Sequence, residues 1–143
     1  MNALAAATVR GTIAAMAMTG VRQVSRGLGL VEETPPEELV EDGAPEIAKR
    51  IPPERREAVV ELVHWGVGAV GGALYSALPR DFRRRPLVGP LYGLAILAVF
   101  EALVQPVLDL PHAKRVHVGE RLAFGADHVL YGLIVGESFP PRG

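Results

Sequence analysis

LVHWGVGAVGGALYSALP, residues Leu62 to Pro79, decides how this chain is read. These eighteen residues contain no Asp, Glu, Lys or Arg, and as a helix they rise about 27 Å, close to the thickness of a bilayer's hydrocarbon core. Two further stretches are nearly as free of charge. From Pro86 to Leu108 the only charged residue is Glu101, and from Leu122 to Gly136 it is Asp127. A chain that is 49% hydrophobic and 22% charged would be ordinary in water. Here the charges stand apart from the apolar runs, which is the pattern that bilayer insertion selects. The expected fold is therefore all-α: a polytopic membrane helical bundle of about four transmembrane helices, forming one domain over residues 1–143. The spans are placed at about 3–21, 62–79, 86–108 and 120–137, with an acidic, Pro-rich aqueous loop over 31–57 between the first two.

Upstream of the deciding stretch, Ala3 to Val21 is rich in Ala, Gly and Met, with Arg10 part-way along and Arg22 and Arg26 at its end, where long side chains can reach the headgroup layer. Met1 to Val9 carries no basic side chain, unlike the start of a cleaved signal peptide. In the loop, Thr34-Pro35-Pro36-Glu37 has capping-box spacing with proline in the first turn, and Gly43 is a natural stop, so a short helix is expected between them. Pro52-Pro53 then opens a helix expected to run unbroken into the second span.

Downstream, Arg80-Asp81-Phe82-Arg83-Arg84-Arg85 joins the second and third spans in a tight basic turn, making them antiparallel neighbours. Four arginines in six positions argue that this turn faces the cytoplasm, with both termini on the same side, against a larger but more dispersed tally of Lys and Arg in the segments on the other side. Pro90 and Pro106 fall near the ends of the third span, where a missing backbone donor costs least. Asp109-Leu110-Pro111 closes it, and a loop with His112, Lys114, Arg115 and His117 leads to the fourth.

A formal net charge of −1 and arginines scattered among acids argue against nucleic-acid binding. The absence of cysteine excludes disulfides, thiolate metal sites and thiol nucleophiles. Two rows at four-residue spacing stand out: His64, Gly68, Gly72 and Ser76, then His128, Gly132 and Gly136. Glycine at this spacing lets membrane helices approach closely. The rows hint at a duplicated helix pair, and they offer faces for a homo-oligomer or a partner within a membrane complex.

Ionisable groups inside a bilayer are costly and need a reason to be there. His64, Glu101, Asp127 and His128 are the four in question, and the alternation of spans puts all of them in the same membrane half. The plainest reading is that they satisfy one another, imidazole to carboxylate, and lock helix register without enzymatic activity. A second reading is a cluster that responds to protons or ions, as in a small proton- or ion-linked transporter or conduit subunit. An outlier is a membrane metalloenzyme, with His112 and His117 as outer ligands. No H-E-x-x-H motif, nucleophile elbow or phosphate loop is present, so no catalytic residue, cofactor or metal is assigned.

The run from His64 through Tyr75, the short basic turn, Asp109-Leu110-Pro111, and Glu120 followed by Phe124-Gly125 and His128 resembles the YagU-type family of small bacterial inner-membrane proteins. The likeness covers about residues 60–137. It implies an inner-membrane, multi-pass protein and brings no activity with it. On that likeness His64, Tyr75, Glu120 and His128 hold family-like positions, Glu101 and Asp127 are peculiar to this chain, and the N-terminal span and acidic loop match less well.

Overall fold

The computed structural model describes residues 2–29, 35–110 and 118–136, and among them every regular element is helical. The first helix, α1 (Ala3–Gly27), starts where Asn2 Oδ1 accepts a hydrogen bond from the Ala5 N–H at 2.8 Å, satisfying a donor that a helix start otherwise leaves unpaired. It runs past Arg22 and Arg26 instead of stopping at Val21. In the loop, α2 (Pro35–Glu41) sits where the capping pattern predicts a short helix, though Thr34 lies outside the described residues. A second short helix, α3 (Pro45–Ala48), was not expected. The expected continuous second helix is α4 (Pro53–Ser76), with proline at its first position.

After α4, a single turn, α5 (Arg80–Arg83), folds the basic segment back. Tyr75 Oη donates to the Arg83 carbonyl at 3.0 Å, and Arg83 Nε donates to the Leu78 carbonyl at 3.0 Å. Arg83 is thereby buried as part of the turn, while Arg80, Arg84 and Arg85 stay exposed.

The third long helix runs as α6 (Val88–Val99), a π-helical segment over Phe100–Val104, and α7 (Gln105–Val107). In the π segment the Gln105 N–H reaches back five residues to the Phe100 carbonyl. Pro106 explains the widening: it has no N–H to offer the Ala102 carbonyl, and its ring crowds the turn before it. The last helix is α8 (Val118–Val135). The loop histidines His112 and His117 lie outside the described residues.

Among the described residues three helices are long and apolar enough to cross a membrane: Ala3–Gly27, Pro53–Ser76 and Val88–Val107. The expected fourth span, α8, is not among them: it carries three charged residues, Glu120, Arg121 and Asp127, within its eighteen. Large apolar side chains lie uncovered along all three long helices, among them Leu4, Ile13, Val67, Leu74, Leu91 and Leu103. In water such surfaces would drive aggregation, whereas lipid solvates them. A multi-pass membrane protein is the setting these helices suit.

The helices pair through small residues. Helix α1 packs antiparallel on α4, with Ala7, Gly11 and Ala15 against Gly68 and Gly72, and α6 packs on α8, with Gly89 and Gly93 against His128, Gly132 and Gly136. A Cβ on Gly93 would fall inside the His128 carbonyl group, and one on Gly11 would strike the Gly68 carbonyl. Both glycine rows singled out in the sequence are thus used within the chain. Helix α1 also packs on α8, closing the bundle on one side.

On the other side α4 and α6 are antiparallel but only loosely packed. Aromatic side chains stand between them: Tyr75 and Tyr92 meet edge to face at 5.0 Å, and Tyr92 Oη donates to the Gly71 carbonyl at 2.6 Å. The tight turn thus makes them antiparallel without making them close, because their small-residue faces are already engaged with α1 and α8.

Candidate polar clamp and cleft

Glu61 is the centre of the polar interior. It lies on α4 one turn before His64, and both of its carboxylate oxygens are engaged from α1. Arg22 forms an ion pair with Oε1, and Thr19 Oγ1 donates to Oε2 at 2.5 Å. The Trp65 indole N–H in turn donates to Thr19 Oγ1 at 3.2 Å. His64 Nδ1 lies 3.4 Å from Thr19 Oγ1 and 3.8 Å from Glu61 Oε2. Because the Thr19 proton is directed at the carboxylate, Nδ1 faces acceptor oxygens and suits the tautomer that carries its proton there. The Arg22 and Glu61 side chains are only 8% and 14% exposed, so this is a desolvated pair, with Thr19 meeting the second carboxylate oxygen. A more exposed bridge, Arg26 to Glu37 at 2.6 Å, ties the end of α1 to α2.

Of the residues singled out from the sequence, His64 belongs to this clamp and His128 does not. His128 Nδ1 lies 2.8 Å from the Phe124 carbonyl, one turn earlier on α8; a carbonyl can only accept, so the proton sits on Nδ1 and Nε2 is an acceptor when the ring is neutral. Asp127 lines a small cavity of about 100 Å³ together with Arg22, His64 and His128, roofed by Pro36 and Leu39 of α2. Three of the four sequence-derived residues therefore meet at one place, joined by an arginine read from the sequence as a headgroup anchor. Glu101 is half-buried in the π segment and lines neither this cavity nor the larger one.

The signal for the missed residues was present. Glu61-Leu62-Val63-His64 is an E-x-x-H spacing that puts both side chains on one helix face. Beginning the span at the first uncharged residue, Leu62, left Glu61 outside. Thr19 had no signal of its own, since a lone threonine in an apolar helix usually bonds back to its own backbone.

A larger cleft of about 450 Å³ lies in the loose seam between α4 and α6, reaching inward to α1 and α8. Two histidines, His64 and His128, and two tyrosines, Tyr92 and Tyr131, line it among otherwise apolar residues. Both tyrosine protons are committed to backbone, Tyr92 to Gly71 and Tyr131 to the Gly68 carbonyl at 2.7 Å. Among the described residues no group of three His, Asp or Glu side chains is arranged to hold a metal ion. No protein-family model, curated protein or solved structure matches the chain.

Proposed function

We propose that this is a non-enzymatic, multi-pass inner-membrane protein whose buried polar groups hold its helices in register. The observation that carries the reading is the clamp itself: Arg22 and Thr19 of α1 occupy both carboxylate oxygens of Glu61 on α4. In lipid, where apolar packing gives no preference for one register over another, such a pair fixes how far one helix slides along the next. The termini are proposed to be cytoplasmic, supported by the exposed Arg80, Arg84 and Arg85 on the α4–α6 turn. Kinship with YagU-type proteins is part of the proposal, supported by burial of the family-like Tyr75 and Glu120 and by His64 and His128 sharing one cleft.

The test is a carbonate wash of membranes followed by a register measurement. The protein is expected to stay in the pellet, and spin labels on single cysteines placed in α1 and α4 are expected to lose their fixed separation in Arg22→Leu. Release into the wash, or an unchanged separation, overturns the reading.

A second reading, a proton-linked conduit, is favoured by the meeting of Arg22, His64, Asp127 and His128 at the smaller cavity. It predicts proton leak into dye-loaded proteoliposomes that Asp127→Asn abolishes. Proteoliposomes as tight as empty vesicles would remove it.

A further inference from the structure

The cleft between α4 and α6 is bordered by Val67, Val70, Leu74 and Val99, which leave 52%, 59%, 61% and 52% of their surfaces uncovered. These residues lie on the two helix faces that lipid would bathe, so the route into the cleft is from the membrane phase rather than from water. Its volume of about 450 Å³ is in the range of sites that take a small organic molecule.

The polar groups inside have one character. His128 Nε2 is an acceptor because Nδ1 donates to Phe124. His64 offers Nε2 in the same way, its Nδ1 being turned toward Thr19 and Glu61. The Tyr92 and Tyr131 hydroxyls have given their protons to Gly71 and Gly68 and retain only lone pairs. At a pH where the imidazoles are neutral, the side chains lining the cleft therefore present acceptors in an apolar chamber, with no free proton to donate.

We propose that this cleft binds a membrane-soluble amphiphile with a hydroxylated ring as its head, of the quinol class, with its apolar tail leaving between α4 and α6. A quinol carries two O–H donors, which acceptor nitrogens at His64 and His128 complement. The corresponding quinone has only carbonyl acceptors at its head and would leave both sides of the contact unpaired. The inference does not depend on the register role of the clamp, because it uses the opposite face of His64 and a different helix pair.

The experiment titrates a decyl-substituted hydroquinone, its quinone and decanol, each into the full chain in detergent micelles above neutral pH under reducing or oxidising conditions as each probe requires. Melting temperature and the emission of Trp65, the one tryptophan, are followed. The hydroquinone is expected to bind saturably and about tenfold more tightly than the quinone, the equivalent of roughly one to two hydrogen bonds. His128→Phe, which keeps a ring of similar shape, is expected to bring the hydroquinone down to the affinity of the quinone. Ala95→Phe, which puts a ring into the cleft from its lining, is expected to abolish binding of both. Equal uptake of all three probes that Ala95→Phe leaves unchanged would show partition into the micelle and overturn the proposal. So would a quinone that binds more tightly than the hydroquinone, or decanol binding as tightly as the hydroquinone.

Discussion

The α1–α4 and α6–α8 seams use the same backbone device with different chemistry beyond it. Gly11 approaches Gly68 and Gly72 as Gly89 approaches Gly132 and Gly136, and His64 stands to its row as His128 stands to the other. Eight residues past the first glycine, however, α1 has Thr19 where α6 has Leu97, and eleven past it Arg22 faces Phe100 in the same comparison. One turn before the histidine, α4 has Glu61 and α8 has Gly125. Close approach of helices therefore needs only the small residues, because α6–α8 achieves it with Leu97, Phe100 and Gly125 at the positions that form the clamp in α1–α4. The clamp is an addition to one seam, and its contribution is to choose one register among several that glycine packing would allow.

Removing one side of the clamp should have the largest effect. Arg22→Leu leaves the Glu61 carboxylate without its counter-charge in a desolvated position, and a loss of about 3–5 kcal/mol is expected in detergent-based unfolding titrations. The double variant Arg22→Leu/Glu61→Leu should recover most of this loss, since an apolar pair of similar size carries no unpaired charge. A double variant as unstable as the single one would mean that the ion pair itself holds the seam.

Next in size is the glycine contact common to both seams. Gly93→Ala should cost about 1–3 kcal/mol in the same titration, because the atom it meets is a backbone carbonyl that cannot rotate away. Gly11→Ala should cost a similar amount, its obstacle being the Gly68 carbonyl. If Gly11→Ala is tolerated and Gly93→Ala is not, the first seam depends on its clamp more than on its glycines, and the likeness between the seams fails.

Smaller effects separate the single hydrogen bonds from the ion pair. Thr19→Val keeps the shape and removes the proton given to Glu61, and a loss of about 0.6–1.7 kcal/mol is expected from the range for interhelical bonds in membranes. Tyr131→Phe deletes one hydrogen bond from α8 to the Gly68 carbonyl, with an expected loss of about 0.6 kcal/mol by the same measurement. A Tyr131→Phe loss larger than that of Thr19→Val would shift the weight of the bundle from the clamp to the cleft.

Much of this architecture was legible along the chain. Charge segregation marked α4, the third long helix and α8, the Ala-rich apolar run marked α1, proline and the capping pattern marked the starts of α2 and α4, and the glycine rows marked the faces that pack. The α1 terminus was placed too early because Arg22 was read as reaching for headgroups, when its charge is neutralised by a partner thirty-nine residues away on α4. The π segment escaped because it depends on how the helix accommodates Pro106. The site was half legible: His64, Asp127 and His128 were found and read, with Glu101, as one cluster, while Glu61, Thr19 and Arg22 were not assigned to it.

What the sequence by itself determined is the set of helices and the solvent they suit, since length, polarity and the positions of proline and glycine act locally and can be read in one dimension. Only the tertiary structure decided which helix each glycine row meets, that Arg22 and Thr19 share Glu61, and that the seam between α4 and α6 stays open. The physical reason is that in lipid any apolar face suits any other nearly equally. Partner and register are therefore set by a few close backbone contacts and one buried charge pair, and those exist only once the helices are side by side.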